Sequence, residues 1–168
     1  MPLLESRADG PAILEDRYQR LEDTAPIPAE GAILVSLARF NAERDALLSR
    51  RDRLGVWLAA KEQPATLAGF LDRLALVALD FPVFSDGRAF SSARLLRERH
   101  GYKGEVRAIG DVLCEQLPFM LRSGFDSFDM KSPKALAEFR AVVGEVRVVY
   151  QPTGDGRLTA IDRRLGRS

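Results

Sequence analysis

Residues 75–111, ALVALDFPVFSDGRAFSSARLLRERHGYKGEVRAIGD, read as strand, turn, helix and strand. The first run, ALVALDF (75–81), is apolar without polar alternation, as a strand buried on both faces of a parallel sheet should be. Ser85-Asp86-Gly87-Arg88 interrupts it, and Asp-Gly is a common turn pair. FSSARLLRERHG (90–101) has a helical pattern, with Gly101 placed to cap its end. EVRAIG (105–110) returns as a strand, and Asp111 can cap the helix that follows. This is one βαβ unit, so the fold class depends on whether it repeats.

It does repeat. AILVSL (32–37) and GVWLAA (55–60) are further apolar runs upstream, and FDSFDM (125–130) and EVRVVYQ (145–151) follow downstream. Between them lie the helical stretches ARFNAERDALLSRRDRL (38–54), ATLAGFLDRL (65–74) and SPKALAEFRAVVG (132–144). Short apolar strands alternating with helices predict an α/β fold of repeated βαβ units around one mainly parallel sheet. Periodicity leaves two forms open, an open three-layer sheet and an incomplete barrel. PAILEDRYQRLED (11–23) can add an antiparallel edge at the N-terminus. At 168 residues the chain suits a single domain (1–168). Residues 1–30 then form an acidic arm, and residues 155–168 a Gly- and Arg-rich, partly mobile tail.

Composition is that of an ordinary globular protein, 46% hydrophobic and 29% charged, with a net charge of +1. So balanced a chain has no global field for nucleic acid or a membrane surface. No apolar run reaches the roughly eighteen residues of a membrane span. MPLLESRADG lacks the basic and apolar regions of a secretory signal, so a cytoplasmic location is expected. The single cysteine, Cys114, excludes an internal disulfide and a Cys-x-x-Cys pair, and the single histidine, His100, excludes multi-histidine metal sites. No metal and no cofactor is expected, because no dinucleotide, P-loop or metalloprotease motif is present. Cys114 falls in a first helical turn, where the dipole can lower a thiol pKa, but with no His or second Cys nearby it reads as a packed thiol.

The charge is unevenly placed. Residues 1–30 hold seven acids and three bases, whereas Arg88, Arg94, Arg97, Arg99, Lys103 and Arg107 stand against only Glu98 and Glu105. Ligands of α/β sheets bind beyond the carboxyl ends of the strands. That rule makes Asp86, Gly87, Arg88 and Asp111 ligand-site candidates, with Ser91 opening a helix whose free N–H groups favour an anion. Each also has a plain reading, since Asp86 and Arg88 can shape a turn and Ser91 can be an N-cap. Arg107, inside a buried strand, needs a partner. Asp80, Asp129 or a bound anion can supply it. Arg94 and Arg97 fall on the side of the helix away from Leu95 and Leu96, and are expected exposed and free to meet a partner protein.

Residues 81–128, FPVFSDGRAFSSARLLRERHGYKGEVRAIGDVLCEQLPFMLRSGFDSF, resemble the signature of a bacterial family labelled probable oxidoreductase involved in sulfite reduction. The likeness rests on Phe81, Pro82, Phe84, Asp86-Gly87-Arg88, Gly101-Tyr102, Glu105, Arg107, Gly110-Asp111 and Gly124-Phe125-Asp126. Family members are encoded beside the sulfite reductase haemoprotein and phosphoadenylylsulfate reductase. The resemblance implies an accessory protein of assimilatory sulfite reduction, supporting electron delivery to sulfite reductase or its assembly. The alternative is a small α/β enzyme or sensor that binds a sulfur oxyanion or a phosphorylated sulfur metabolite. The family has no established catalytic residues to carry over. Ala89, Cys114 and Ser123 depart from its pattern, and Ser123 rules out thiol chemistry where other members have Cys.

Overall fold

A computed structural model describes residues 2–7, 10–145 and 164. A hairpin opens the chain, with β1 (Leu3–Arg7) antiparallel to β2 (Gly10–Leu14). After a three-residue link come β3 (Tyr18–Arg20), β4 (Ala32–Ser36) and the short helices α1 (Leu37–Ala42) and α2 (Arg44–Leu48). The expected helix over 38–54 is thus broken at Glu43, whose φ of −120° is not helical. Ser36 caps α1 by accepting from the Arg39 N–H. Next are β5 (Leu54–Leu58), two 3₁₀ turns at Pro64–Leu67 and Leu71–Arg73 where a helix was expected, and β6 (Leu76–Phe81). Helix α3 (Arg88–Arg94) runs into a π-helical turn, Leu95–Arg99. Strand β7 (Glu105–Gly110), a 3₁₀ turn at Cys114–Gln116, α4 (Leu117–Ser123), β8 (Ser127–Asp129) and α5 (Ala135–Glu145) complete the described chain. The expected strand over 145–151 begins in α5, at Glu145, and otherwise lies outside the described residues.

The eight strands among the described residues join one sheet in the order β2-β1-β8-β7-β6-β5-β4-β3. Strands β3 to β8 are parallel, and only the pairs of β1 are antiparallel. The α/β reading therefore holds, and an antiparallel N-terminal edge is present, but it is built by Leu3–Arg7 with Gly10–Leu14, whereas Tyr18–Arg20, in the stretch expected to supply it, runs parallel to β4. Because β3 to β8 follow chain order without reversal, right-handed crossovers carry every helix to the same side. The cores agree with this. The large apolar cluster joins alternate strand residues, such as Val56, Val77, Leu79 and Phe128, to Phe40, Ala93, Met120 and Phe139 of the helices. A small cluster on the other face, Leu34, Leu76, Ala78 and Ile109, holds strand residues only.

The sheet is curled. Among the described residues strands β2 and β3 are its opposite edges, yet Glu15–Arg17 alone connect them. Eight flat strands would hold those edges about 34 Å apart. From Leu14 to Tyr18 the chain reaches about 14 Å at most. Of the two forms open from sequence, the barrel-like one is found, with helices outside and a concave inner face.

Candidate functional site at the mouth of the barrel

At the carboxyl end of β6 the loop 82–87 is held from several sides. The Asp86 N–H donates to the Val83 carbonyl at 3.0 Å. The Asp86 carboxylate accepts from the Arg88 backbone N–H at 3.2 Å and from Arg88 Nε at 2.9 Å. These bonds hold the Asp86 carboxyl down at about 2. Arg88, its side chain 56% exposed, is thus engaged by its own turn. Asp111 accepts from the Phe84 N–H at 3.1 Å and from Lys131 Nζ at 3.0 Å, which lowers its pKa. Gln116 Nε2 donates to the Phe84 carbonyl at 2.7 Å. Asp86, Gly87, Arg88 and Asp111 thus share one rim, as the strand-end rule expects, but only Asp86 and Arg88 touch. Ser91 does not cap α3, contrary to expectation. The helix begins at Arg88, so Ser91 lies a turn inside it, exposed.

Arg107 is 2% exposed and points to the concave face. Its partners are not the expected Asp80 and Asp129. Its guanidinium reaches Asp16 at 2.9 Å and Glu105 at 2.9 Å, and lies over the Tyr18 ring at 5.4 Å from the centroid. Glu105 also accepts from Ser127 Oγ at 2.5 Å. The curl of the sheet brings the β2–β3 link, and with it Asp16, onto β7. One acid of the N-terminal arm thus meets the basic unit directly.

One residue pair further along the strands the concave face changes character. Asp80 pairs in register with Ile109, and the β7–β8 register carried one residue on sets Asp129 beside Ile109. The two carboxylates therefore share a face two strands apart, about 10 Å between their backbones. Arg20 of β3 lies over the Trp57 ring at 4.7 Å. Burial raises the pKa of Asp80, with Arg20 opposing and Asp86 reinforcing the shift. Burial likewise raises Asp129, opposed by the terminal ammonium, Arg107 and Arg20, and reinforced by Asp16. One guanidinium thus acts on both acids, and among the described residues it closes no ion pair of its own. Gly110 makes room beside them. Its φ is +93°, and an added Cβ would collide with the Phe81 carbonyl oxygen and lie 2.6 Å from Asp80 Oδ1. Arg20 did not stand out in the sequence. The polar residues Asp80 and Asp129 in otherwise apolar strands were the available signal.

Arg94 is exposed as expected, in an i,i+4 pair with Glu98 at 3.3 Å. Arg97 is not. Its Nε donates to the Gly124 carbonyl at 3.0 Å, its Nη1 to the carbonyls of Tyr102 (2.6 Å) and Gly104 (2.8 Å), and its Nη2 to Asp126. The π-helical turn widens the helix just where Arg97 lies and turns it toward the loop before β8. Cys114 donates to Glu138 Oε2 at 3.0 Å, and burial together with that carboxylate pushes the thiol up to about 12. A dipole-lowered thiolate is therefore not what the fold provides. Val83, Phe84 and Phe119 are about half exposed near this rim.

Among the described residues no group of three or more His, Cys, Asp or Glu side chains is arranged to hold a metal. Among them, no helix is long and apolar enough to cross a membrane. The family model of a bacterial protein of unknown function (DUF934) matches residues 55–161. No curated protein matches the chain.

Proposed function

Because the chain belongs to this bacterial family of unknown function, the match covering more than half of it, we propose a function from the site itself: the protein binds a small oxyanion at the mouth of its barrel. The observation that carries this reading is Arg20, exposed and laid over Trp57 on the face that also bears Asp80 and Asp129, and closing no ion pair among the described residues. Guanidinium is suited to planar, bidentate recognition of oxyanions. The mouth lies at the carboxyl ends of the parallel strands, where barrels of this kind place their ligands. The link to sulfite reduction comes from the resemblance of residues 81–128, and makes a sulfur oxyanion or a phosphorylated sulfur metabolite the ligand class. Titration calorimetry with sulfite, sulfate, thiosulfate and nucleotide phosphates tests it. One saturable anion site is expected, weakened at least tenfold in Arg20→Ala. If no anion binds, or if that variant binds as well as wild type, the reading fails.

A second reading, that the protein is an accessory of sulfite reductase, is favoured by a different observation. Val83 and Phe84 are displayed on a loop that Asp111 and Gln116 hold rigid, with Phe119 also exposed on α4. Exposed apolar side chains on a fixed loop suit a protein contact. Co-purification with the sulfite reductase haemoprotein, lost in Phe84→Ser/Phe119→Ser, is the expected result. Recovery of that variant with the haemoprotein at the wild-type level would exclude this surface.

A further inference from the structure

We propose that Asp86-Gly87 is a site of isoaspartate formation, and that the guanidinium fork of Arg88 holds it shut. The proposal concerns the rim loop alone and does not depend on either reading above. An aspartyl residue followed by glycine can close on itself, because glycine leaves its own amide nitrogen unshielded. That nitrogen attacks the aspartyl Cγ and an N–Cγ bond forms. The Cγ–OH bond breaks, and the hydroxyl leaves as water with the amide proton. Water then reopens the cyclic imide at either carbonyl. Opening at the former main-chain carbonyl leaves the chain running through Cβ and Cγ, longer by a methylene. No other reactant is consumed, since the water lost is regained.

The nucleophile is bare in this fold. Gly87 has φ −80° and ψ −2°, ordinary helical values, and an added Cβ would meet nothing within 4 Å. Neither backbone nor packing therefore calls for glycine. Its N–H donates to no group among the described residues. The electrophile is restrained. Asp86 Oδ1 accepts from the Arg88 backbone N–H at 3.2 Å and from Arg88 Nε at 2.9 Å. Its Oδ2 accepts from Nε at 3.2 Å and from Nη2 at 2.5 Å. Both oxygens are committed to Arg88, in a side chain only 11% exposed. Ring closure needs a carboxyl that can shed hydroxyl, which means the protonated form turned away from Arg88 and toward Gly87. Hydrogen bonds to the ionised form oppose this. With the carboxyl held at about 2, the protonated form at neutral pH is scarcer by more than about tenfold. Isoaspartate at this position would part the fork and slacken the loop that displays Val83 and Phe84.

Protein incubated at neutral pH, well below its melting temperature, is digested and its peptides fragmented by electron transfer, which reads isoaspartate at position 86 directly. Folded wild type should accumulate it slowly, and wild type in urea quickly. Arg88→Ala should raise the folded-state rate by about tenfold or more, as the pKa returns toward its ordinary value. Adding Gly87→Ala to that variant should slow it again, because a methyl shields the nitrogen and fits the fold. Asp111→Ala frees the loop at Phe84 but leaves the fork, and should age as slowly as wild type. Thermal melting checks that each variant is folded, and Arg88→Gln replaces Arg88→Ala should the latter melt too low. Folded wild type ageing as fast as in urea overturns the inference, as does an Arg88 variant ageing like wild type. It also falls if Asp111→Ala ages as fast as Arg88→Ala, because loop rigidity and not the fork would then be the guard.

Discussion

At the scale of single residues, the outcome turns on which side chain is left holding an unmatched charge. Arg107 is buried, while its partner Asp16 is 48% exposed. In Arg107→Ala the freed Asp16 can turn to water, but Glu105, less exposed, loses its nearest cation. Removing one member of a buried pair costs about 3–5 kcal/mol, and the exposure of Asp16 argues for the lower end. Urea denaturation should show a loss of about 3 kcal/mol, and a variant within 1 kcal/mol of wild type would mean the pair is idle. Gly110→Ala should cost more than the about 1–3 kcal/mol of a left-handed backbone alone, because the new methyl would also collide with the Phe81 carbonyl. It should also disturb Asp80, whose Oδ1 lies where the new methyl would go. An NMR titration of the Asp80 carboxyl in this variant reads that displacement directly.

At the scale of elements, the strands were legible because burial on both faces leaves short apolar runs that little else produces. The expected runs at 32–37, 55–60, 75–81, 105–110 and 125–130 all contain strands. Helices were less legible where the chain connects strands tightly, as at 65–74, where 3₁₀ turns replace a helix. Arg97 shows the limit most plainly. A helical wheel assumes 100° per residue, and the π turn at Leu95–Arg99 departs from it, so a residue read as solvated becomes a clamp between α3 and β8. Gly124 permits that clamp, since a Cβ there would meet the Arg97 side chain. Arg97→Ala should therefore destabilise the protein by about 2–3 kcal/mol, because charge-assisted bonds to carbonyls and to Asp126 are lost together. Arg94→Ala, whose pair is exposed on both sides, should change stability by no more than about 0.5 kcal/mol. Thermal melts of the two variants side by side decide it, and equal melting temperatures would refute the distinction. The Asp86–Arg88 turn adds a pH dependence of known sign. The lowered pKa of Asp86 makes its stabilising pair fully present above the ordinary carboxylate range, and the pair is lost as pH falls toward about 2. The difference in stability between wild type and Asp86→Asn should therefore shrink over that interval.

At the scale of the whole molecule, the site exists only because the sheet curls. Arg20 and Tyr18 lie on one edge strand and Asp129 toward the other, and sequence offers no rule that joins residues across a sheet whose curvature is unknown. Asp16 and Arg107 are 91 positions apart, and only the short β2–β3 link brings them together. Two causes of the curl are separable: the helices packed on one face, and the three-residue strap across the gap. The packing has independent support. Leu21 N–H donates to the Leu34 carbonyl, Asp23 accepts from Ser36, and Arg39 holds the Glu22 and Ala25 carbonyls, so the segment after β3 is tied down without the strap. Inserting six Gly/Ser residues between Leu14 and Glu15 triples the link and should cost about 1 kcal/mol of loop closure. Because Asp16 stays joined to β3, a double-mutant cycle in the lengthened protein should return the same Asp16–Arg107 coupling as in wild type. The slope of unfolding free energy against urea, which follows the surface exposed on unfolding, should also be unchanged. If instead the slope drops and the coupling vanishes, the native sheet has opened. The strap, and not the packed helices, would then be what closes the mouth around Arg20.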